Sequence, residues 1–268
     1  MKRLAIAVLL ASVGLTCSAG VASAAAASIH PGVQTFTGGA QCTANFIFRD
    51  ASGTYIGQAA HCSGTGGDSA TNGCKSGSLP LGTPVTVKGA EHPGTLVYNS
   101  WLTMQSHKEA DPSTCQYNDL ALVRLDPADV PDVDPSVPGF GGPTGVGSVG
   151  RLEPVFSFGS SSLRGGLTVL SPKQGFVIGT AGDGWSRTVL TLTPGIPGDS
   201  GSGFMNVSGQ AVGVLSTLDI SPLPASNGIG DLGRELGYMH ANSAFTDTQL
   251  VPGTRPFTGN LLGAILSG

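Results

Sequence analysis

The chain is short of charge. Asp, Glu, Lys and Arg make up 11% of its 268 residues, 13 basic against 17 acidic, for a formal net charge of -4 at pH 7. Without an excess of Lys and Arg there is no basic face to neutralise phosphates, so a nucleic-acid partner is not expected. Long apolar runs are missing as well. The run at 4–15 falls short of the ~20 residues that a membrane-spanning helix needs, so no stable membrane association is expected. No internal repeat or heptad emerges, which sets aside solenoids and coiled coils. The five cysteines lack the close pairs that structural zinc takes, and neither a metal nor a cofactor is expected.

What is present is turn chemistry. With 42 Gly and 18 Pro, the composition is that of an all-β protein whose short strands are joined by tight turns. Residues 1–27 read as a secretory leader: Lys2 and Arg3, the apolar run, then the small-residue site Ala22-Ser23-Ala24. A lipid anchor at Cys17 is disfavoured, because Gly14-Leu15-Thr16 lacks the leucine and the small residue such a site wants. The expectation is a secreted, extracellular protein. Loss of Cys17 with the leader leaves Cys42, Cys62, Cys74 and Cys115 in an oxidising compartment, hence two disulfides with three pairings open.

Taken in order, 28–40 shows little periodicity and is expected along the surface. Strands are predicted at 42–48, 54–58, 84–88, 94–98 and 120–125, with a loop over 63–82. The Pro- and Gly-dense stretch 126–147 reads as a crossover between two domains, its Asp129, Asp132 and Asp134 as a solvated acidic loop rather than a calcium site. Further strands are predicted at 152–158, 167–170, 175–180, 186–193, 201–205 and 211–217, with a hairpin turn at Asn206-Val207-Ser208-Gly209 and a short helix over 231–241. The expected division is 28–130, 131–250 and a tail at 251–268.

Three short motifs carry chemistry. Pro197-Gly198-Asp199-Ser200-Gly201-Ser202-Gly203 places a serine between glycines; a hydroxyl there needs a base, and the base needs an orienting acid. Candidates lie upstream at His61, in Ala59-Ala60-His61-Cys62, and Asp119, in Asn118-Asp119-Leu120-Ala121-Leu122. Together, and in the order His, Asp, Ser, they resemble the signature set of the chymotrypsin-like (trypsin-fold) serine peptidases, in the style of bacterial members. The esterase elbow is offset, since Ser202 stands where its second glycine belongs.

The resemblance implies a fold of two six-stranded antiparallel Greek-key barrels with a short C-terminal helix. It implies a serine endopeptidase acting on proteins or peptides, expected as a monomer, with His61 as base, Asp119 as its orienter, Ser200 as nucleophile and the Gly198 and Ser200 N–H groups as oxyanion hole. It pairs Cys42 with Cys62, leaving Cys74 and Cys115. The alternative is a catalytically silent trypsin-fold binding protein; such proteins usually lose a triad residue, and here all three stand. No trypsin-like activation tetrapeptide precedes Cys42, so the resemblance implies that Asp199 pairs with an internal arginine, Arg151 or Arg164. It places Pro194 at the floor of the substrate side-chain pocket, Ser216, Thr217 and Gly228 on its walls, and Ser216 on the substrate backbone. With no charge at that floor, neutral side chains are expected to be preferred over Arg or Lys, Asp219 being the nearby acid whose entry would reverse this.

Overall fold

A computed structural model describes residues 28–66, 71–219 and 225–267; the expected leader lies outside them. The first half holds β1 (Gln34–Thr37), β2 (Ala40–Thr43), β3 (Ile47–Asp50), β4 (Gly53–Ala59), β5 (Pro84–Val87), β6 (Gly94–Asn99), helices α1 (Ser100–Ser106) and α2 (Pro112–Tyr117), and β7 (Leu120–Arg124). The second holds β8 (Pro154–Phe158), β9 (Pro172–Ala181), β10 (Ser186–Thr191), β11 (Gly203–Met205), β12 (Ala211–Asp219), β13 (Ser226–Asp231), α3 (Leu232–Asn242), β14 (Gln249–Leu250) and α4 (Leu261–Leu266). No described helix is long and apolar enough to cross a membrane.

The strands form two antiparallel units. One is an eight-stranded sheet in the order β14-β3-β4-β7-β6-β5-β1-β2; the other is a closed barrel, β10-β13-β12-β11-β8-β9. The second has the expected six strands. The first has eight: seven, β1 to β7, come from the first half, and the two-residue β14 joins them from beyond the second barrel, Gln249 opposite Arg49 and Leu250 opposite Phe48. Each unit has its own aliphatic centre, Ile47, Ile56, Leu96 and Val123 in one and Val155, Val177, Val189 and Ile229 in the other. A third cluster joins the two, with Phe46, Leu120 and Leu122 packed beside Phe140, Phe156, Val214 and Met239. The near-continuous apolar run of β7 follows from this arrangement: its residues face apolar neighbours on both sides.

Several local expectations are corrected. The stretch 28–40 is not surface: Ile29 is fully buried and β1 is paired on both edges. Its inward residues are Thr35 and Thr37, so the alternation of β1 is invisible to hydropathy. The strand predicted at 42–48 is two, broken between Thr43 and Ile47. The segment 167–170 is a 3-10 turn with Leu167 and Val169 exposed. Helices α1 and α2 arise from their caps: the Asn99 side chain accepts from the Trp101 and Leu102 N–H groups, and Asp111 precedes a proline at the first helical position. Asp129 is buried rather than solvated, accepting the Glu91 and His92 N–H groups at 3.1 and 3.0 Å.

Candidate active site

The disulfides are Cys42–Cys62 and Cys74–Cys115. The first ties the end of β2 to the 3-10 turn Ala60–Ser63 that carries His61. Both sulfurs are committed to that bond, so although they lie close to His61 they are not free to ligate a metal. The same turn is held from β6, whose Asn99 donates from Nδ2 to the Ala60 carbonyl and to Ser63 Oγ while its Oδ1 caps α1. The buried Trp101 ring lies 6.4 Å from the imidazole, centroid to centroid.

Asp119 stands at the head of β7, beside the last residues of β4, because Leu120 pairs with Ala59. Its Oδ2 meets His61 Nδ1 at 2.7 Å, and its Oδ1 accepts the His61 main-chain N–H at 2.9 Å, so both ring and backbone of the histidine are set by one carboxylate. A third donor, Ser216 Oγ, reaches Oδ2 at 2.5 Å. Ser216 is free to do so because β12 bulges there: Leu215 faces Ile229 and Thr217 faces Gly228, which leaves Ser216 as the extra residue, turned out of the ladder. The Asp119 N–H in turn donates to Glu235 Oε1 at 2.9 Å. Burial works against an imidazolium, but the Asp119 charge and hydrogen bond outweigh it and hold the His61 pKa above its ordinary 6.5.

The loop bearing Ser200 is two consecutive turns. The Asp199 N–H donates to the Ile196 carbonyl at 2.8 Å across Pro197-Gly198, with Gly198 at φ +94, the pattern of a type II turn. The Ser202 N–H then returns to the Asp199 carbonyl across Ser200-Gly201, with Gly201 at φ +88. A Cβ on Gly201 would stand 2.8 Å from the Ala59 nitrogen and 2.6 Å from the Thr43 carbonyl, so only glycine lets Ser200 approach the backbone that leads into His61. The loop's carbonyls are drawn outward: Pro197 to Ser161 Oγ (2.6 Å), Gly198 to Thr43 Oγ1 (2.7 Å) and Gln41 Nε2 (2.9 Å), Ser200 to the Thr43 N–H (2.8 Å). Each N–H of a trans peptide points away from the preceding carbonyl. The Gly198 N–H, opposite the outward Pro197 carbonyl, therefore points the other way, and neither it nor the Ser200 N–H donates to any described residue.

Asp199 is fully buried between two cations. Its Oδ2 pairs with Arg164 and lies 3.0 Å from Lys173 Nζ, and its carboxylate also accepts the Ser161 and Ile196 N–H groups. Of the two arginines expected to serve Asp199, Arg164 does so; Arg151 reaches only the Ile178 carbonyl. Burial lowers the Lys173 pKa to about 8, with Arg164 adding to the fall and Asp199 opposing it.

The sequence matches no protein-family model and no curated protein. Among solved structures the chain is similar to protease A of Thermobifida fusca, with 20% identity and a TM-score of 0.54 over 84% of this chain and 99% of that one. It is also similar to a Cellulomonas bogoriensis chymotrypsin, with 16% identity and a TM-score of 0.51 over 83% and 98% of the two chains. The fold is that of the chymotrypsin-like serine proteases. Within this fold the six predicted pocket and triad positions outside the nucleophile itself divide into two groups. His61 and Ser216 both bond to Asp119, whereas Thr217 and Gly228 face each other across β12 and β13 and Pro194 adjoins Gly195. The buried Asn227 exchanges hydrogen bonds with both main-chain groups of Gly195 and donates to the Thr217 carbonyl. The Pro194 carbonyl is turned away, toward Arg164 at 3.0 Å and Lys173 at 3.5 Å. Residues 220–224 and the side chain of Asp219 lie outside the described part. Sequence reasoning missed Lys173, Glu235, Gln41 and Ser161, which bond to Asp119 or to the Ser200 loop from other elements.

Proposed function

We propose that the protein is a secreted serine endopeptidase that cleaves proteins or peptides, acting as a monomer through His61, Asp119 and Ser200. The observation that carries this reading is the hydrogen-bonded line Ser216–Asp119–His61 beside a loop whose Gly198 and Ser200 N–H groups have no partner. In the reaction His61 takes the Ser200 hydroxyl proton as the oxygen attacks the substrate carbonyl, then gives it to the leaving amine; water repeats the sequence to release the acyl group. Asp119 fixes the tautomer, its Oδ2 accepting from Nδ1 so that Nε2 is the basic nitrogen. The two unpartnered N–H groups stabilise the oxyanion, and loss of one such donor typically costs ~2.7–4 kcal/mol in the barrier. The bulge at Ser216 leaves its main chain outside the β12/β13 ladder, which suits it to pair with an extended substrate.

The test is labelling of the processed protein with a fluorophosphonate. Wild type is expected to label and Ser200→Ala not to; a folded wild type that stays unlabelled refutes the reading. Arg164 on Asp199 supports a further point: the loop needs no newly freed N-terminus, and changing the mature terminus by a few residues should leave labelling intact. For the side chain before the scissile bond, the described walls carry no charge, and behind Pro194 lie two cations against one anion. An Arg or Lys side chain entering there would lose hydration and meet like charge. Peptide anilides ending in Arg, Glu, Ala, Leu and Phe should rank Arg low; a clear preference for Arg would mean that Asp219 or another acid reaches the bound side chain.

A further inference from the structure

Behind Asp119 lies a carboxyl group that this chemistry leaves unused. Glu235, in the first turn of α3, is fully buried. Its Oε1 accepts the Asp119 N–H, while Oε2 is buried with no hydrogen-bond partner. No Lys, Arg or His is ion-paired with it among the described residues. The ionisable groups that bear on it are Asp119 at the head of β7, Asp231 at the end of β13, and the buried Tyr98 of β6. Asp231 is itself engaged by Arg187 at 3.3 Å. Main chain closes the remaining side: a Cβ on Gly230 would stand 2.4 Å from Oε1 and 3.1 Å from the Tyr117 carbonyl.

One donor, no cation and an anion next door make this a poor place for a carboxylate. A charge so placed is avoided by keeping the proton. We propose that Glu235 is a positioning residue held as a neutral carboxylic acid, whose carbonyl oxygen anchors the main chain of Asp119 without adding a second negative charge behind the His61–Asp119 pair. The inference rests on the triad reading above. Burial pushes the Glu235 carboxyl well above the usual carboxylate range, the Asp119 N–H opposes this, and the Asp119 and Asp231 charges reinforce it. The neutral state matters for the base. A second anion beside Asp119 would favour the imidazolium and deplete neutral His61 at the working pH. An apolar residue would avoid the charge but leave a buried N–H unpaired at the very residue that orients the base.

The experiment uses the processed protein with Glu235→Gln and Glu235→Leu. Glutamine keeps the shape and the carbonyl acceptor but cannot ionise; leucine removes the acceptor and keeps the volume. The second-order rate of inactivation by a fluorophosphonate is followed against pH. E235Q is expected to react within about twofold of wild type, with the same acid-limb midpoint, and E235L about tenfold more slowly, the equivalent of one lost hydrogen bond. A downward shift of the midpoint in E235Q would mean that an anion had been removed, and would overturn the proposal; so would E235L reacting like wild type. Should E235L fail to fold, the infrared difference spectrum of wild type minus E235Q at pH 7 decides: a protonated-carboxyl stretch supports the neutral acid and its absence overturns it. A wild type that shows the stretch but never labels overturns the triad reading alone.

Discussion

Lys173→Met separates the two cations on Asp199. Lys173 has no exposed surface and stands 3.0 Å from Asp199, where Arg164 already balances the carboxylate. Holding the lysine charged without a free counter-charge is unfavourable, and the fall of its pKa from 10.5 to about 8 measures by how much. The unfolded chain keeps the lysine proton up to its ordinary pKa, while the native protein releases it first. Between those two values unfolding therefore takes up a proton, and native stability rises with pH, at most by ~1.4 kcal/mol per unit. Across the whole interval this amounts to about 3 kcal/mol, present above the unfolded pKa and lost as pH falls through the folded one. Methionine fills similar space without the charge, so K173M should lack this rise and at pH 7 should be as stable as wild type or more so. The assay is urea unfolding of both proteins from pH 7 to 10, with the difference between them isolating this one group. Asp199→Asn is the contrast, because it strands Arg164 and Lys173 together, and should cost about 3–5 kcal/mol at pH 7. If K173M is as damaging as D199N, or if the wild-type-minus-K173M difference is flat with pH, the account of this cluster is wrong.

Under the proposed mechanism, reactivity toward a fluorophosphonate should fall on acidification with a midpoint above 6.5, because Asp119 raises the His61 pKa and only a neutral imidazole could accept the Ser200 proton; a midpoint well below that value would show that the histidine is not so coupled. Ser216→Ala removes a 2.5 Å hydrogen bond to a carboxylate, worth ~1.5–3 kcal/mol, and should slow inactivation by about tenfold or more while the chain stays folded. Gly198→Ala places a methyl 2.3 Å from Gln41 Oε1 at a φ of +94, so labelling should collapse with thermal stability only modestly reduced. Replacing Cys42 and Cys62 with serine should cost ~2–5 kcal/mol in urea unfolding, read alongside the labelling rate.

The parts of the site that were legible in the sequence are those whose chemistry is written in a few adjacent residues. His61, Asp119 and Ser200 each sit inside a short motif, and the Cys42–Cys62 bridge is the pairing that the family resemblance implies. What stayed hidden acts across elements. Lys173, between Pro172 and Gln174 at the start of β9, reads like any surface lysine until the fold sets it against Asp199. Glu235 follows an arginine on a short helix and looks like a solvated face, although its partner is the main chain of Asp119. The fold shows the same division. Strands rich in aliphatic residues, the alternating β5 and the continuously apolar β7, are legible; β1, whose buried face is threonine, and β13, with Ile229 as its one aliphatic residue, are not.

The placement of β14 bears on how the chain acquires its shape. Synthesis supplies the N-terminal half first, and domains that close on local contacts can fold as they emerge. Here Val251 donates to the Ile47 carbonyl, and Thr248 Oγ1 binds Asp50 across a separation of 198 residues. Phe257 then packs on Phe156 in the closed barrel. The half that carries His61 and Asp119 thus stays an open-edged sheet until the last segment arrives to cover β3. Long-range closure of this kind is slow, and it leaves an unpaired strand exposed in the meantime. A nascent chain halted after residue 245 would present that edge, with His61 and Asp119 already synthesised behind it.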